Sequence, residues 1–529
     1  MAIPFLGRLA ITEWPIIIVS ITLAWFEYLV SIISLLLPAP IIDMFTLGVK
    51  TVYSFGSDPI KIVGSEATAE HSVESYRYMN HLSKKADEKD DERIIDFEVD
   101  KYHLMIDILN SPDFQTTCSF FGYDVESHII RTKDNYLLTA HRIVRPGSHI
   151  ARNGKVVYLH HGLLMSSEIW VTMLERHLNL PFLLYDLGYD VWLGNNRGNK
   201  YSQKHLFLKT NSEKFWDFSL DEFALFDIPN TIDYILNETK VKKLTYIGFS
   251  QGSAQAFASI SVNSDLKDKI DQMIAISPAT TPHGLYSKFL DILLKASPSL
   301  VYLLFSRKVL MPSVLLWQQL MYPPFFDTMI DLSNYMLFNW RSKNITKMQK
   351  LASYSHLYST TSVKCVVHWF QVISSKKFQM FKDSNSTISG LNPIYYPLKN
   401  IKVPIHIIYG DSDSLVDIDV MKNQLPLGTT TTRSVAQHEH LDNLWGFDVK
   451  ELVFKHVLTY LGEGGPVKSL SPSNVKSANS YLQFEKDRSG SFDESFDGEE
   501  TIHDGKGIIS NGEFKINQRK PSTGGSVFV

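Results

Sequence analysis

The stretch LTYIGFSQGSAQ, residues 244–255, has the pattern of a β-strand, a tight turn and the start of a helix. Its middle, residues 248–252, matches G-x-S-x-G with Ser250 at the centre. The two glycines leave room for a strained turn that presents the serine, and the first N–H groups of the next helix favour developing negative charge. The five-residue pattern also arises by chance, so its strand-turn-helix setting is what makes Ser250 the candidate nucleophile rather than an ordinary turn serine.

Apolar runs with the same strand pattern lie on both sides of this stretch. They are KVVYLHHG (155–162), YDVWLGNNRG (189–198), QMIAISP (272–278) and VPIHIIYGDSDS (403–414), and a helical pattern occupies residues 220–239. Short apolar strands that alternate with helices predict an α/β fold with a mostly parallel sheet covered on both faces. Ahead of them, SHIIRT and YLLTAHRIV around the turn at residues 133–135 predict a hairpin.

A nucleophilic serine needs a base and an orienting acid, which in such folds follow it in the order acid, then histidine. The strand at residues 405–409 ends in GDSDSLVD, which supplies Asp411, Asp413 and Asp417. We predict that Asp413 is the acid. Asp411 and Asp417 are the alternatives, and those not used would cap or solvate the turn.

The segment QHEHLDNLWG, residues 437–446, brings two histidines just before the last helix. We predict that His440, beside the apolar run, is the base. His438 is the alternative, either as a surface neighbour or as a substitute base.

An oxyanion hole needs two backbone N–H donors, one after the nucleophile and one from the loop after the strand at residues 156–159. Gln251 and Leu163 fill these positions. Gly162 lets the loop approach an acyl carbonyl closely. His160 and His161 precede it and have no obvious third partner, so we predict neither a metal site nor a cofactor.

The bulk composition excludes several classes of protein. The 529 residues carry a formal net charge of -4 and 44% hydrophobic residues, without a basic stripe, which excludes nucleic-acid binding and fits a large core. Two cysteines, Cys118 and Cys365, are too few for a disulfide framework and are predicted to be buried thiols.

Residues 16–37 form an apolar stretch whose only charge is Glu27, long enough to cross a bilayer as a helix. We predict a membrane anchor. A signal peptide and a buried core helix are the alternatives, and the central Glu27 leaves room for a shallow or hairpin insertion.

The composition divides the chain into four parts. These are an N-terminal membrane anchor (1–50), a charged connector (51–105), a catalytic domain (106–462) and a disordered polar tail (463–529). Within the catalytic domain, an apolar insertion at about residues 278–400 is predicted to be a helical cap over a lipid-sized pocket. The alternative is an ordinary helical subdomain without gating.

Together the motifs resemble those of the acid lipase family, which contains gastric and lysosomal acid lipases and fungal steryl ester hydrolases. The likeness runs in order from about residue 106 to 460. Its motifs are HHGLLMSSEIW, WLGNNRGNKYS, FWDFSLDEFALFDIPNTIDYIL, GFSQGSAQAF, HWFQVISSKKFQMF, GDSDSLVD and HEHLDNLWGFD. The apolar amino terminus and polar tail are most similar to the yeast steryl ester hydrolases.

The resemblance implies an α/β-hydrolase fold with Ser250, Asp413 and His440 as catalytic triad and with Leu163 and Gln251 as oxyanion donors. It implies hydrolysis through an acyl-enzyme, with steryl esters as first substrate and triacylglycerols as second. We expect neutral lipid esters and a membrane or lipid-droplet surface as partners, and a location at lipid droplets or the endoplasmic reticulum membrane. A lipid acyltransferase and a catalytically silent lipid-binding tether are the alternative functions.

Overall fold

The computed structural model describes residues 101–145, 153–282 and 301–463, apart from 303–304, 311, 322, 383–393 and 416, and a few helical positions between 22 and 48. Residues 51–100 of the predicted connector (51–105) and residues 464–529 of the predicted tail (463–529) lie outside the described residues, as does most of the predicted anchor. Among the residues that are described, no helix is long and apolar enough to cross a membrane.

The described part of the chain contains one sheet of nine strands in the order β1-β2-β4-β3-β6-β7-β8-β9, with β5 paired to β2. The strands are β1 Asp124–Arg131, β2 Tyr136–Val144, β3 Val156–His160, β4 Asp190–Gly194, β5 Lys204–His205, β6 Leu244–Phe249, β7 Ile270–Ile276, β8 Ile405–Gly410 and β9 Thr430–Val435.

Strands β1 and β2 form the antiparallel hairpin that the sequence predicts, and β2 also pairs antiparallel with β4. From β4 to β9 every neighbouring pair is parallel. The chain therefore has the mostly parallel sheet of the α/β-hydrolase fold, which confirms the predicted fold of the catalytic domain. In a parallel sheet the carboxyl ends of the strands meet at one edge, and the predicted site residues follow those ends.

Alternate residues of the central strands enter two apolar cores, one on each face of the sheet. Val157 and Leu159 of β3 belong to one core, whereas Val156 and Tyr158 belong to the other. All five residues of β3 are buried. This double burial explains the continuous apolar pattern of the parallel strands.

Helices cover both faces of the sheet. Helical residues 101–109 precede the first strand, and their Met105 and Ile108 are buried in the core. The helices that follow are α1 Phe114–Phe120, α2 Leu180–Asp186, α3 Leu220–Glu222, α4 Ile228–Thr239, α5 Gln251–Val262, α6 Val314–Leu320, α7 Pro323–Phe338, α8 Lys347–Tyr354, α9 Val363–Ser375, α10 Ile418–Gln424, α11 Asp442–Trp445 and α12 Lys455–Tyr460.

Four of these helices, α6 to α9, lie between the parallel neighbours β7 and β8. The segment from residue 277 to 404 is thus an insertion, hereafter the β7–β8 insertion, which leaves and rejoins the sheet at adjacent strands. The predicted helical insertion falls within it. Its role as a cap over a substrate pocket stays a prediction.

Candidate active site

Ser250 occupies a sharp turn between β6 and α5. Its backbone has φ 51° and ψ −119°, a conformation that a non-glycine residue adopts only where its surroundings enforce it. The N–H of Ser250 donates a hydrogen bond of 3.0 Å to the carbonyl oxygen of Ile276, the last residue of β7. The turn is therefore anchored to the neighbouring strand.

The glycines at both ends of the turn are required by close contacts. A Cβ added to Gly248 would lie 2.6 Å from the backbone N of Ser253, and one added to Gly252 would lie 2.5 Å from the carbonyl oxygen of His160. Larger side chains would push the helix away from the strand and from the loop after β3. The G-x-S-x-G pattern thus reflects backbone packing.

The structure brings His440 and Asp413 together. Nδ1 of His440 donates a hydrogen bond of 2.6 Å to Oδ2 of Asp413, and the other carboxylate oxygen accepts the N–H of Leu415 at 3.0 Å. Both residues are buried, and Ser250 is 7% exposed. The ring of Phe249, which directly precedes Ser250, lies 5.1 Å from the His440 ring between centroids. The three predicted triad residues therefore share one edge of the sheet.

The close approach of two loops places the acid beside the base. Gly410 ends β8, and a Cβ added there would lie 2.0 Å from the carbonyl oxygen of His438. That same oxygen accepts the N–H of Ser412 at 3.1 Å. Because the loop after β8 contacts the loop after β9 through backbone atoms, Asp413 and His440 face each other.

The alternative acids make other bonds. Oδ1 of Asp411 accepts the N–H of Gln437 at 2.7 Å, which fixes the start of the histidine loop. Oδ1 of Asp417 accepts the N–H of Val420 at 3.1 Å and so caps α10.

The alternative base, His438, points into a different network. Its Nδ1 lies 2.9 Å from Oδ1 of Asn443, and its Nε2 lies 2.9 Å from Oδ1 of Asp448. Burial alone would lower the pKa of His438, but the hydrogen bonds to Asp448 and Asn443 raise it above the ordinary value. His438 therefore stabilises the loop that carries His440.

The predicted oxyanion donors lie on two segments that contact each other. Gly162, which precedes Leu163, comes so close to the nucleophile turn that an added Cβ would lie 3.2 Å from Cβ of Ser250. Leu164 has φ 58°, and its carbonyl oxygen accepts the N–H of Ser359 at 2.7 Å. Gln251 is the first residue of α5. The loop after β3 thus passes directly beside the nucleophile turn.

His160, the last residue of β3, and His161, which follows it, are held as neutral, hydrogen-bonded side chains. Nδ1 of His161 donates to the carbonyl oxygen of Gly162 at 2.8 Å, and its Nε2 accepts the N–H of Asn196 at 3.2 Å. Burial lowers the pKa of His161 to about 4 and lowers that of His160 well below its ordinary value. Within the described ranges no three His, Cys, Asp or Glu side chains are placed to hold a metal ion.

The β7–β8 insertion contributes residues that sequence reasoning missed. Nε1 of Trp369 donates a hydrogen bond of 2.7 Å to Oε1 of Gln251. The indole of Trp340 stacks on the His440 ring with 4.9 Å between centroids and 6° between planes. One indication for Trp369 was present in the sequence, because it lies in the HWFQ motif at residues 368–371. No sequence pattern indicated that Trp340 lies at the site.

Ser277 and Glu439 were also missed. Oγ of Ser277, just after β7, donates to the carbonyl oxygen of His440 at 3.2 Å and accepts from Nδ2 of Asn443 at 2.8 Å. Glu439 binds the insertion through backbone N–H groups. Their positions, after a strand end and next to His440, were the available signal. Both cysteines are buried free thiols, as predicted.

Comparison with known proteins shows the family of this chain. Residues 155–447 match the family model for the α/β hydrolase fold, and residues 114–174 match that for a partial α/β-hydrolase lipase region. A probable lipase of Schizosaccharomyces pombe is 49% identical over 349 residues, which cover 65% of this chain and 78% of the relative.

A second probable lipase of the same yeast is 47% identical over 363 residues, covering 67% of this chain and 78% of the relative. Bovine gastric triacylglycerol lipase is 34% identical over 362 residues, covering 65% of this chain and 90% of the relative. The chain belongs to the lipase family of α/β-hydrolase-fold proteins that includes the gastric lipases.

Proposed function

We propose that this lipase-family protein is a serine ester hydrolase with Ser250 as nucleophile, His440 as base and Asp413 as orienting acid. The observation that carries the proposal is the 2.6 Å hydrogen bond between His440 and Asp413 at the sheet edge that holds the Ser250 turn. A carboxylate on Nδ1 keeps the proton on that nitrogen and leaves Nε2 free to accept one.

In the proposed reaction Oγ of Ser250 attacks the ester carbonyl carbon, and its proton passes to Nε2 of His440. The oxyanion accepts hydrogen bonds from the backbone N–H groups of Gln251 and Leu163. Collapse of this intermediate breaks the bond to the alcohol, which leaves with the proton from His440. Water then attacks the acyl-enzyme by the same route, which releases the fatty acid and restores Ser250.

We propose steryl esters as the first substrate and triacylglycerols as the second. The apolar β7–β8 insertion supports a lipid-sized pocket, with the insertion as its cap. The apolar stretch at residues 16–37 supports a substrate dissolved in a lipid phase. The gastric relatives, which are named triacylglycerol lipases, support the inclusion of triacylglycerols as the second substrate.

We further propose that the protein works at a membrane or lipid-droplet surface, at lipid droplets or the endoplasmic reticulum. Phe26, in the apolar amino-terminal stretch, stacks against Trp317 of α6 with 6.4 Å between ring centroids. Helix α7, next in the chain, exposes large apolar side chains at helical spacing. They are Phe325, Met329, Leu332 and Met336. The exposed apolar face of α7, together with an apolar amino-terminal stretch that contacts the preceding helix α6, supports contact with lipid.

The function is tested by assaying purified full-length protein on emulsified cholesteryl oleate and triolein. We expect free fatty acid from both, faster from the steryl ester, and none above background from Ser250→Ala. Ser259→Ala is the matched control, because Ser259 lies in α5, the helix that follows Ser250, is buried, and its Oγ has no hydrogen-bond partner among the described residues.

Each outcome has a defined reading. Unchanged hydrolysis by Ser250→Ala refutes the proposed nucleophile. Faster release from triolein refutes the substrate order and leaves the reaction intact. Transfer of the acyl group to an added alcohol in preference to water would show an acyltransferase, and a folded protein inactive in every assay would favour a lipid-binding tether.

A further inference from the structure

The imidazole of His440 is enclosed by groups from three parts of the chain. Asp413 binds its Nδ1 at 2.6 Å. Phe249 of β6 contacts the ring at 5.1 Å between centroids and 56° between planes, and Trp340 lies nearly parallel to it at 4.9 Å and 6°. Because Asp413 occupies Nδ1 and Trp340 covers one face, Nε2 remains the ring nitrogen available for proton transfer.

Trp340 belongs to the β7–β8 insertion, just after α7, and not to the sheet edge that carries the triad. It is 5% exposed, and the ring of Phe338 stacks on it at 4.3 Å. Its Nε1 has no hydrogen-bond partner in the described part of the chain. What the indole offers His440 is therefore its aromatic face rather than its N–H group.

Glu439, the neighbour of His440, binds the backbone that follows Trp340. Its Oε2 accepts the N–H of Arg341 at 2.8 Å and the N–H of Ser342 at 2.7 Å. A carboxylate that accepts two backbone N–H groups forms charge-assisted bonds, which are stronger than neutral ones.

A second contact joins the same two segments. Nδ2 of Asn344 donates to the carbonyl oxygen of Gln437 and to Oδ2 of Asp442, each at 2.9 Å. Residues 341–344, directly after Trp340, are thus joined by hydrogen bonds to residues 437–442, which contain His440. The segments that carry the indole and the imidazole are therefore tied to each other.

We propose that Trp340 is a positioning residue for His440 in ester hydrolysis, and that Glu439 holds it there. The proposal rests on the proposed serine hydrolase function. A flat aromatic face fixes the tilt of the imidazole, and proton transfer from Ser250 depends on that tilt. The same face attracts the imidazolium that forms when His440 takes the proton.

The test compares kcat and KM for a soluble ester, p-nitrophenyl butyrate, in purified full-length variants. Trp340→Phe keeps the aromatic face, so we expect kcat within about threefold of the unchanged protein, since the lost N–H has no partner to lose. Trp340→Leu keeps an apolar cover without the face. We expect kcat to fall roughly 10- to 100-fold while KM changes less than about threefold.

Trp192→Leu is the matched control. Trp192 is buried in β4, its Nε1 likewise lacks a partner among the described residues, and it packs against His128 and Arg142 rather than His440. We expect a loss of thermal stability similar to that of Trp340→Leu, with kcat unchanged. Equal losses of kcat in both variants would mean general loss of packing and would overturn the proposal.

Substitution of Glu439 tests the same proposal while both aromatic rings remain in the protein. We expect Glu439→Ala to lower kcat about tenfold because the backbone after Trp340 loses its acceptors, and Glu439→Gln to recover most of it through its remaining oxygen. Full kcat in Trp340→Leu or in Glu439→Ala would overturn the positioning role. A lack of turnover by the unchanged protein would instead refute the proposed function itself.

Discussion

Three aspartates follow β8, and their hydrogen bonds show that each has a different structural role. Asp413 bonds to His440, whereas Asp411 holds the backbone of Gln437 and Asp417 caps α10. The order of the motifs predicted the candidates, but all three carboxylates lie in one seven-residue turn. Which carboxylate faces His440 depends on the backbone conformation of that turn, and the local sequence pattern does not predict this conformation.

Asp413→Asn should lower kcat by about 10³- to 10⁴-fold, because an amide cannot hold the imidazole in the proton-accepting form. Its Oδ1 can still accept the N–H of Leu415, so we expect the fold to persist. Asp411→Asn is the control and should keep kcat within about threefold, since its bond to Gln437 does not reach His440. Steady-state kinetics on p-nitrophenyl butyrate decides; equal losses in both variants would contradict the assignment.

Gly410→Ala tests the contact between the two loops. The new Cβ would lie 2.0 Å from the carbonyl oxygen of His438, so the histidine loop must move. We expect the free energy of unfolding to fall by about 1–3 kcal/mol and kcat to fall with it. Gly428→Ala, where an added Cβ meets nothing within 4 Å, should change neither. Urea denaturation and initial rates measure both, and normal kcat in Gly410→Ala would contradict the account.

At the scale of elements, the strands and the nucleophile turn were predictable because each is encoded within a dozen residues. Apolar runs with turn residues mark the strands, and the spacing of Gly248 and Gly252 marks the turn. The contacts of the β7–β8 insertion were not predictable in the same way. Trp340 and Trp369 reach the site through packing between segments about 100 residues apart in the chain. The apolar pattern of a helix predicts that the helix is buried, but it does not predict which part of the chain the helix packs against.

The bond from α9 to the start of α5 leads to a prediction of its own. Trp369→Phe removes the N–H donor of Oε1 of Gln251, a residue 2% exposed, and leaves that oxygen with the weak Sγ–H donor of Cys365 at 3.6 Å. Because a thiol is a weak donor, the loss of the indole hydrogen bond to this buried oxygen should lower the free energy of unfolding by about 1 kcal/mol. We expect kcat to fall as well, because Gln251 supplies a proposed oxyanion donor.

Trp216→Phe controls for the loss of an indole hydrogen bond elsewhere, since Nε1 of Trp216 donates to the carbonyl oxygen of Thr210 at 2.7 Å. It should be destabilised to a similar degree with kcat unchanged. Thermal denaturation together with initial rates separates the two effects. If the Trp369→Phe protein is less stable but keeps full kcat, the expectation that α9 affects catalysis through Gln251 is wrong.

At the scale of the whole molecule, one buried carboxylate joins three distant parts of the chain. Glu168, in the loop after β3, contacts Nζ of Lys200 at 2.5 Å and Nδ1 of His356 in the insertion at 2.8 Å. Nε2 of His356 lies 2.7 Å from the carbonyl oxygen of Ile108. Burial alone would raise the pKa of Glu168, but Lys200 and His356 lower it from 4.5 to about 2.

A carboxyl whose pKa is lower in the folded state stabilises the fold above its unfolded pKa, and this contribution is lost as the pH falls toward the folded value. For Glu168 the difference corresponds to about 3 kcal/mol above pH 5, lost progressively between about pH 4.5 and 2. Glu168→Gln should therefore be much less stable than the unchanged protein at pH 7 and less distinguishable from it at pH 3. Urea denaturation at both pH values measures this, and a gap that is equal at both would contradict it.

The most direct measurement of the central claim is the site of covalent labelling by a fluorophosphonate, mapped by mass spectrometry. If Ser250 is activated by His440, a single adduct should form on Ser250, and His440→Ala should slow its formation by about 10³-fold or more while the fold is retained. Ser253, buried three residues further along, should stay unlabelled. An adduct on another serine, or equal labelling of Ser250 without His440, would contradict the account.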